Sequence, residues 1–329
     1  LAKEDAELLS RADLWAARAV AGGNPDEGFY NPARQLDKET LGTVSPYHSP
    51  SGPRAVQALV AHALGDLGVQ RRAVTGFLEA VSQPCPNPDL TLGRSGVLLA
   101  ASMLLDVVKD EELRQRLRTL GDGLLRDLWT EIDEQPPVLQ AEGAWANLGM
   151  AHGWAGYLYA TLRWRAKPER LEERLSQLAG CARSVGRGLR WPWRDSGGGL
   201  PAHMPGWCNG SAGFVHLWTL AARELNDPSW MTWAEGAAWN AWEAQDRNAS
   251  LCCGLAGRAY ALIDFWKSGG GEVWLERARL LAEAAAVEVV RYSEAADSLY
   301  KGEPGVAALI ADLAKPEAAA QPFFGDEGW

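Results

Sequence analysis

Two kinds of helical pattern alternate along the chain. One kind is apolar on nearly every face: "LGRSGVLLAASMLL" (92–105), "HGWAGYLYATLRW" (152–164), "NGSAGFVHLWTLAA" (209–222), "CGLAGRAYALIDFW" (253–266) and "KGEPGVAALIADLA" (301–314). The other kind carries one apolar stripe. In 111–129, Leu113, Leu117, Leu120, Leu124 and Leu128 recur at spacings of three and four, with Glu, Arg and Asp on the remaining faces. Residues 169–188 and 272–291 read the same way. A helix that is apolar all round must be covered all round, and a striped helix can cover it from outside. The alternation therefore predicts inner helices ringed by outer ones, an all-α fold of the α/α toroid class, with 1–329 as a single domain. No period-two stretch of useful length competes, so β content is expected to be small.

Each apolar segment begins with G-x-x-G. The second glycines, Gly96, Gly156, Gly213, Gly257 and Gly305, recur at intervals of 60, 57, 44 and 48 residues, which is room for two helices and two loops per unit. A degenerate sixth copy begins at "SGPRAVQALVAHAL" (51–64), with Ala55 at the second glycine position. Glycines at these points are expected to let loop backbone pack closely. They are also expected to leave the first N–H groups of each inner helix pointing into the mouth of the barrel, where a functional site would sit.

Composition narrows the function classes. The formal charge is −10 and no Lys/Arg cluster is long enough to track phosphates, which argues against nucleic acid as a partner. The longest nearly uncharged apolar run, Gly96–Leu105, is far short of the roughly 20 residues of a membrane-spanning helix. No N-terminal signal pattern is present, and a cytoplasmic protein with no transmembrane segment is the expectation. Residue 1 is Leu, which leaves room for an upstream domain.

Five cysteines, Cys85, Cys181, Cys208, Cys252 and Cys253, form no disulfide framework, and a chain of 329 residues needs no staples. Cys208, Cys252 and Cys253 stand at or just before the first glycine of two repeats, and His152 does so in another. If the repeats close into a ring, equivalent positions face one mouth and these residues become neighbours. Three thiolates suit Zn²⁺ in tetrahedral geometry, with the fourth position left for water or substrate. Other readings stay open: Cys208 as core packing, a Cys252–Cys253 vicinal disulfide, or a closed zinc site with His152 or His203 as fourth ligand. Cys85 and Cys181, outside the repeat positions, read as ordinary thiols.

The motifs "GWCNGSAG", "SLCCGLAG" and "AHGWAG" together resemble the signatures of the lanthionine synthetase C-like cyclases, and the resemblance runs from Gly52 to Gly305. It implies a toroidal α/α barrel with one zinc, held here by Cys208, Cys252 and Cys253. It also implies that His152 is the general acid and that Asp89, in the register of a family aspartate in "DLTLGRSG", orients or polarises the acid/base network. An Asp capping the following helix is the competing reading of Asp89. The chain departs from the family in three places. Cys-Cys-Gly replaces Cys-His-Gly, Asn209 stands where relatives have Tyr or His, and Met204 stands where relatives have Arg. Three thiolates give the zinc unit a net charge of −1, which favours a more nucleophilic substrate thiolate.

The reaction implied is addition of a peptide cysteine thiolate to dehydroalanine or dehydrobutyrine, closing a thioether ring. The implied partners are a dehydrated precursor peptide and an upstream dehydratase or kinase-lyase, as a domain or a separate protein. Addition of a small thiol such as glutathione, and a regulatory peptide-binding module fused to a kinase, are the alternatives. Most of the 16 tryptophans read as helix packing. Trp154 and Trp207 are expected to line a peptide groove, with Trp207 beside the metal.

Overall fold

The computed structural model describes residues 5–22, 42–193, 203–292 and 298–325. The chain divides into two compact units, Leu1–Glu134 and Gln135–Gly328. The first contains α1 (Ala6–Gly22), α2 (Ser51–Leu64), α3 (Leu67–Ala80), α4 (Arg94–Val107) and α5 (Glu111–Glu134). Helices α2 and α4 lie side by side, with α3 packed on α2 and α5 on α4. The degenerate sixth copy of the repeat is thus a helix with the bounds read from the sequence.

The second unit contains α6 (Trp154–Arg163), α7 (Leu171–Ala179), the strands β1 (Arg183–Val185) and β2 (Gly188–Arg190), α8 (Ser211–Leu225), α9 (Met231–Glu243), α10 (Leu255–Phe265), α11 (Glu272–Tyr292) and α12 (Glu303–Asp312). Helices α6, α8, α10 and α12 form a row in which each touches the next, and α7, α9 and α11 pack behind them. Burial follows the sequence pattern. Every residue from Trp154 to Leu162 and from Ser211 to Ala221 is buried, and so are all of α10 except Asp264. On α5, by contrast, the buried stripe is Leu113, Leu117, Gly121, Leu128, Trp129 and Ile132, while Leu120 and Leu124 are only half-buried.

One striped segment is shorter than its pattern. The helix expected over 169–188 stops at Ala179, and Arg183–Val185 and Gly188–Arg190 pair as an antiparallel hairpin. Glycine explains the break. Gly186 takes a left-handed φ of 57° at the turn, and Gly188 lies so close to α9 that a Cβ would come within 2.6 Å of the Asn240 nitrogen. This small sheet is the only paired-strand element among the described residues.

Most glycines of the G-x-x-G signature share one structural cause. A Cβ on Gly93, Gly153 or Gly254 would run into the carbonyl oxygen six residues earlier, that of Asn87, Asn147 or Asn248. A Cβ on Gly96, Gly213, Gly257 or Gly305 would likewise meet the carbonyl of Leu90, Trp207, Leu251 or Leu299. The loop folds back over the first turn of its own helix, and its carbonyls take that turn's N–H groups. Arg94 N–H donates to Asn87 O at 2.9 Å, Trp154 N–H to Asn147 O at 3.1 Å, Ala212 N–H to Pro205 O at 3.1 Å and Leu255 N–H to Asn248 O at 2.6 Å. This corrects the expectation that these N–H groups stay free to face a site: they are consumed in fixing the loops.

Candidate functional site

Three loops of the second unit are stitched together by main-chain hydrogen bonds at one repeat position, the residue two before the first glycine. Ala151 N–H donates to Cys208 O at 2.8 Å, Cys208 N–H to Cys252 O at 3.0 Å, and Cys252 N–H to Tyr300 O at 2.9 Å in a fourth loop. Two glycines outside the repeat signature make the approach possible. A Cβ on Gly206 would overlap the Cys253 backbone, and one on Gly149 would come within 2.7 Å of Cys208 O. The "G" of "GWC" is therefore what lets Cys208 reach its partners.

The result is a sulfur cluster. Cys208 Sγ lies 3.5 Å from Cys253 Sγ, and Cys253 Sγ lies 3.4 Å from Cys252 Sγ. All three sulfurs fall within 4.8 Å of one another, so the set can hold a metal ion. Zinc–thiolate bonds of about 2.3 Å in a tetrahedron separate sulfurs by roughly 3.8 Å, and the spacing found here fits. No histidine nitrogen joins the three sulfurs at that distance among the described residues, so the closed four-ligand reading gains nothing. All five cysteines are free thiols, which removes the vicinal disulfide. Cys208 is buried, while Cys252 and Cys253 are half-buried.

The cluster shares its protons unequally. Cys253 is held well below the usual thiol range by its hydrogen bonds with Cys208 and Cys252 and by the Lys301 ammonium, whose Nζ stands 3.1 Å from its sulfur. Cys208 is pushed up by its hydrogen bonds with Cys252 and Cys253 and by burial. At Cys252 the hydrogen bond with Cys208 pulls down, but the one with Cys253 and burial prevail and push it up to about 11. Burial lowers the Lys301 ammonium, yet the facing sulfurs outweigh it and the group is held above its ordinary value. Cys253 is thus the sulfur of the three most readily ionised, with a cation beside it, and a thiol that remains protonated must lose its proton to bind a divalent ion.

The remaining sequence candidates divide. His152 is half-buried and follows Ala151, whose N–H is bonded to Cys208 O, so its loop borders the sulfur loop directly. Asp89 lies in the first unit and fastens its own loop. Its Oδ1 accepts from Thr91 N–H at 2.7 Å, Leu92 N–H at 2.8 Å and the Thr91 hydroxyl at 3.0 Å. His203 Nδ1 is 3.3 Å from the Trp191 carbonyl. Trp154 and Trp207 do not line a groove. Both are fully buried, Trp207 against Tyr300 and Phe324, and Trp154 against Trp145 with its Nε1–H on the Trp145 carbonyl at 2.8 Å. Cys181 is buried and Cys85 half-buried, apart from the cluster, as expected of ordinary thiols.

Two features were missed in the sequence. Lys301 in "YKGEPG" occupies the same repeat position as His152 and Cys253, immediately before the first glycine, and that register was the available signal. At the other end of the same helices, a cavity of about 780 Å³ is lined by His216, Asp264, Tyr260, Lys267 and Gln321, with His216 Nδ1 2.9 Å from Asp264 Oδ2. Nothing in the spacing of those residues announces it.

Residues 50–324 match the family model described as lanthionine synthetase C-like protein. A curated relative, "Glutathione S-transferase LANCL1" of Danio rerio, is 23% identical over 295 residues, covering 83% of this chain and 72% of that protein. Among solved structures, "Nisin cyclase" superposes with a TM-score of 0.62 at 15% identity, covering 86% of this chain and 80% of that one. The likeness shows the fold, and the expected all-α, α/α toroid class holds.

Proposed function

The chain belongs to the lanthionine synthetase C-like family, and from that premise we propose that it forms thioether rings by adding a peptide cysteine to dehydroalanine or dehydrobutyrine. The observation that carries this reading is the convergence of Cys208 from one loop and Cys252 and Cys253 from another into one sulfur cluster. In the proposed enzyme those three residues hold one Zn²⁺. A bound zinc ion supplies substrate thiolate at neutral pH, where a free thiol near pKa 8.5 is only a few per cent ionised.

The chain's own residues complete the chemistry. As the sulfur bonds to the β-carbon, the electron pair of the C=C bond moves onto the α-carbon and its carbonyl. A proton must then be delivered to the α-carbon, so that S–H has been added across the double bond. His152, half-buried in the loop bonded to Cys208 O, is the proposed donor. Asp89 is proposed to support that acid/base work, in addition to its contacts within its own loop. The two compact units act in this reading as one catalytic domain, fed by a dehydratase or kinase-lyase acting earlier on the same peptide. Free thiols as ligands favour a reducing, cytoplasmic setting.

The test is turnover of a dehydrated, cysteine-containing peptide by purified protein of known metal content. One zinc per chain with ring closure is expected, and Cys208→Ala should abolish closure while peptide binding persists. Stoichiometric zinc without turnover of any thiol acceptor would favour a binding module instead. The name of the Danio rerio relative, a glutathione S-transferase, favours a second reading in which glutathione rather than a peptide cysteine is the thiol added. Competition between glutathione and an internal cysteine separates the two.

A further inference from the structure

With all three sulfurs ionised, the cluster would carry one negative charge more than a divalent ion balances, and one residue stands where that excess would be met. Three thiolates around Zn²⁺ leave a net charge of −1, whereas two thiolates and a neutral imidazole leave none. The third sulfur belongs to Cys253, and it is Cys253 that Lys301 Nζ touches at 3.1 Å.

The geometry of the repeat makes this meeting specific. Lys301 occupies the position before Gly302 that Cys253 occupies before Gly254 and His152 before Gly153. The loops of Cys252 and Lys301 are joined by the Cys252 N–H to Tyr300 O bond, and Lys301 N–H is fixed on Ser298 Oγ at 3.2 Å. Neighbouring loops in the same register therefore bring an ammonium onto the extra sulfur.

We propose that Lys301 is the built-in counter-charge of the Cys-Cys-Gly centre, a positioning residue that hydrogen-bonds the Cys253 thiolate and makes a three-sulfur metal site tolerable where an imidazole would need no such partner. The inference rests on the zinc reading given above. It assigns Lys301 no proton transfer: an N–H···S bond to a thiolate leaves sulfur lone pairs for a metal, and the cation acts by its fixed charge.

The experiment is a zinc-affinity measurement by competition with a chromophoric chelator, on the full chain stripped of metal, with thermal melts of the metal-free proteins as a folding control. Lys301→Met should weaken zinc binding at least about tenfold, and Lys301→Arg, which keeps the charge, should stay within about threefold of wild type. In a Cys253→His background, where the centre carries no excess charge, Lys301→Met should cost less than about threefold. Unchanged affinity in Lys301→Met, or the same loss in both backgrounds, overturns the counter-charge role while leaving the zinc reading intact. Wild-type protein that takes up no zinc overturns both.

Discussion

In the loop before α4, Asn87 Oδ1 accepts from Asp89 N–H at 3.0 Å. In the loop before α10, Asn248 Oδ1 accepts from Ser250 N–H at 2.9 Å. Both asparagine carbonyls then cap their helices, taking Arg94 N–H and Leu255 N–H, and both press on the first glycine where no Cβ fits. The residue two places on from that asparagine, Asp89 or Ser250, uses its side-chain oxygen to hold the next turn of chain, at Thr91 and Leu92 in one loop and at Cys253 in the other. The chemistry differs at the two places before the first glycine: Thr91 and Leu92 offer no metal-binding sulfur in the first loop, and Cys252 and Cys253 at the same places offer two in the second. Backbone and chemistry are separable in this repeat.

The strongest way to break the comparison is at the glycines. Gly93→Ala and Gly254→Ala should each lower stability by about 3 kcal/mol, because backbone rather than a flexible side chain must move. Urea unfolding reads this, and a neutral Gly254→Ala would mean that the two loops do not share one constraint. Next in size is thiol reactivity in the metal-free protein. Cys253, depressed by its thiol partners and Lys301, should be alkylated first at neutral pH, whereas Cys85, which burial pushes up, should be slow. A depressed thiol stays ionised as pH falls, so Cys253 should keep its rate while Cys85 slows about tenfold per unit. Mass-spectrometric mapping of alkylated peptides between pH 7 and pH 5, chosen as about the range where thiols separate, checks both order and slope.

The smallest effect concerns Asp89. Asp89→Ala should cost about 1–2 kcal/mol for the lost loop hydrogen bonds, and Asp89→Asn, which keeps an acceptor oxygen, should cost less. Turnover that falls in Asp89→Asn at unchanged stability supports the acid/base role, and turnover that follows stability reduces Asp89 to a fastener of its loop.

How much of this was legible beforehand depended on whether the signal was local. Inner and outer helices could be read because burial leaves a periodic trace, as on α5 and α8. The sulfur cluster could be read because ring register converts equal repeat positions into neighbours. Three things left no trace or one too weak to read. The 183–190 hairpin hides behind a striped segment and depends on the contact of Gly188 with Asn240. The fully buried Trp154 and Trp207 look, in sequence, like any aromatic beside a loop. Lys301 was in register but belongs to a residue type that ordinarily marks a solvated surface, so its approach to Cys253 needed coordinates.

The main-chain rungs from Ala151 through Cys208 and Cys252 to Tyr300 have a consequence for redesign. Each rung joins an amide to a carbonyl and is indifferent to what the α-carbon bears. Four adjacent sockets are thereby aligned before any ion arrives, and their contents can be exchanged one codon at a time without re-engineering the frame.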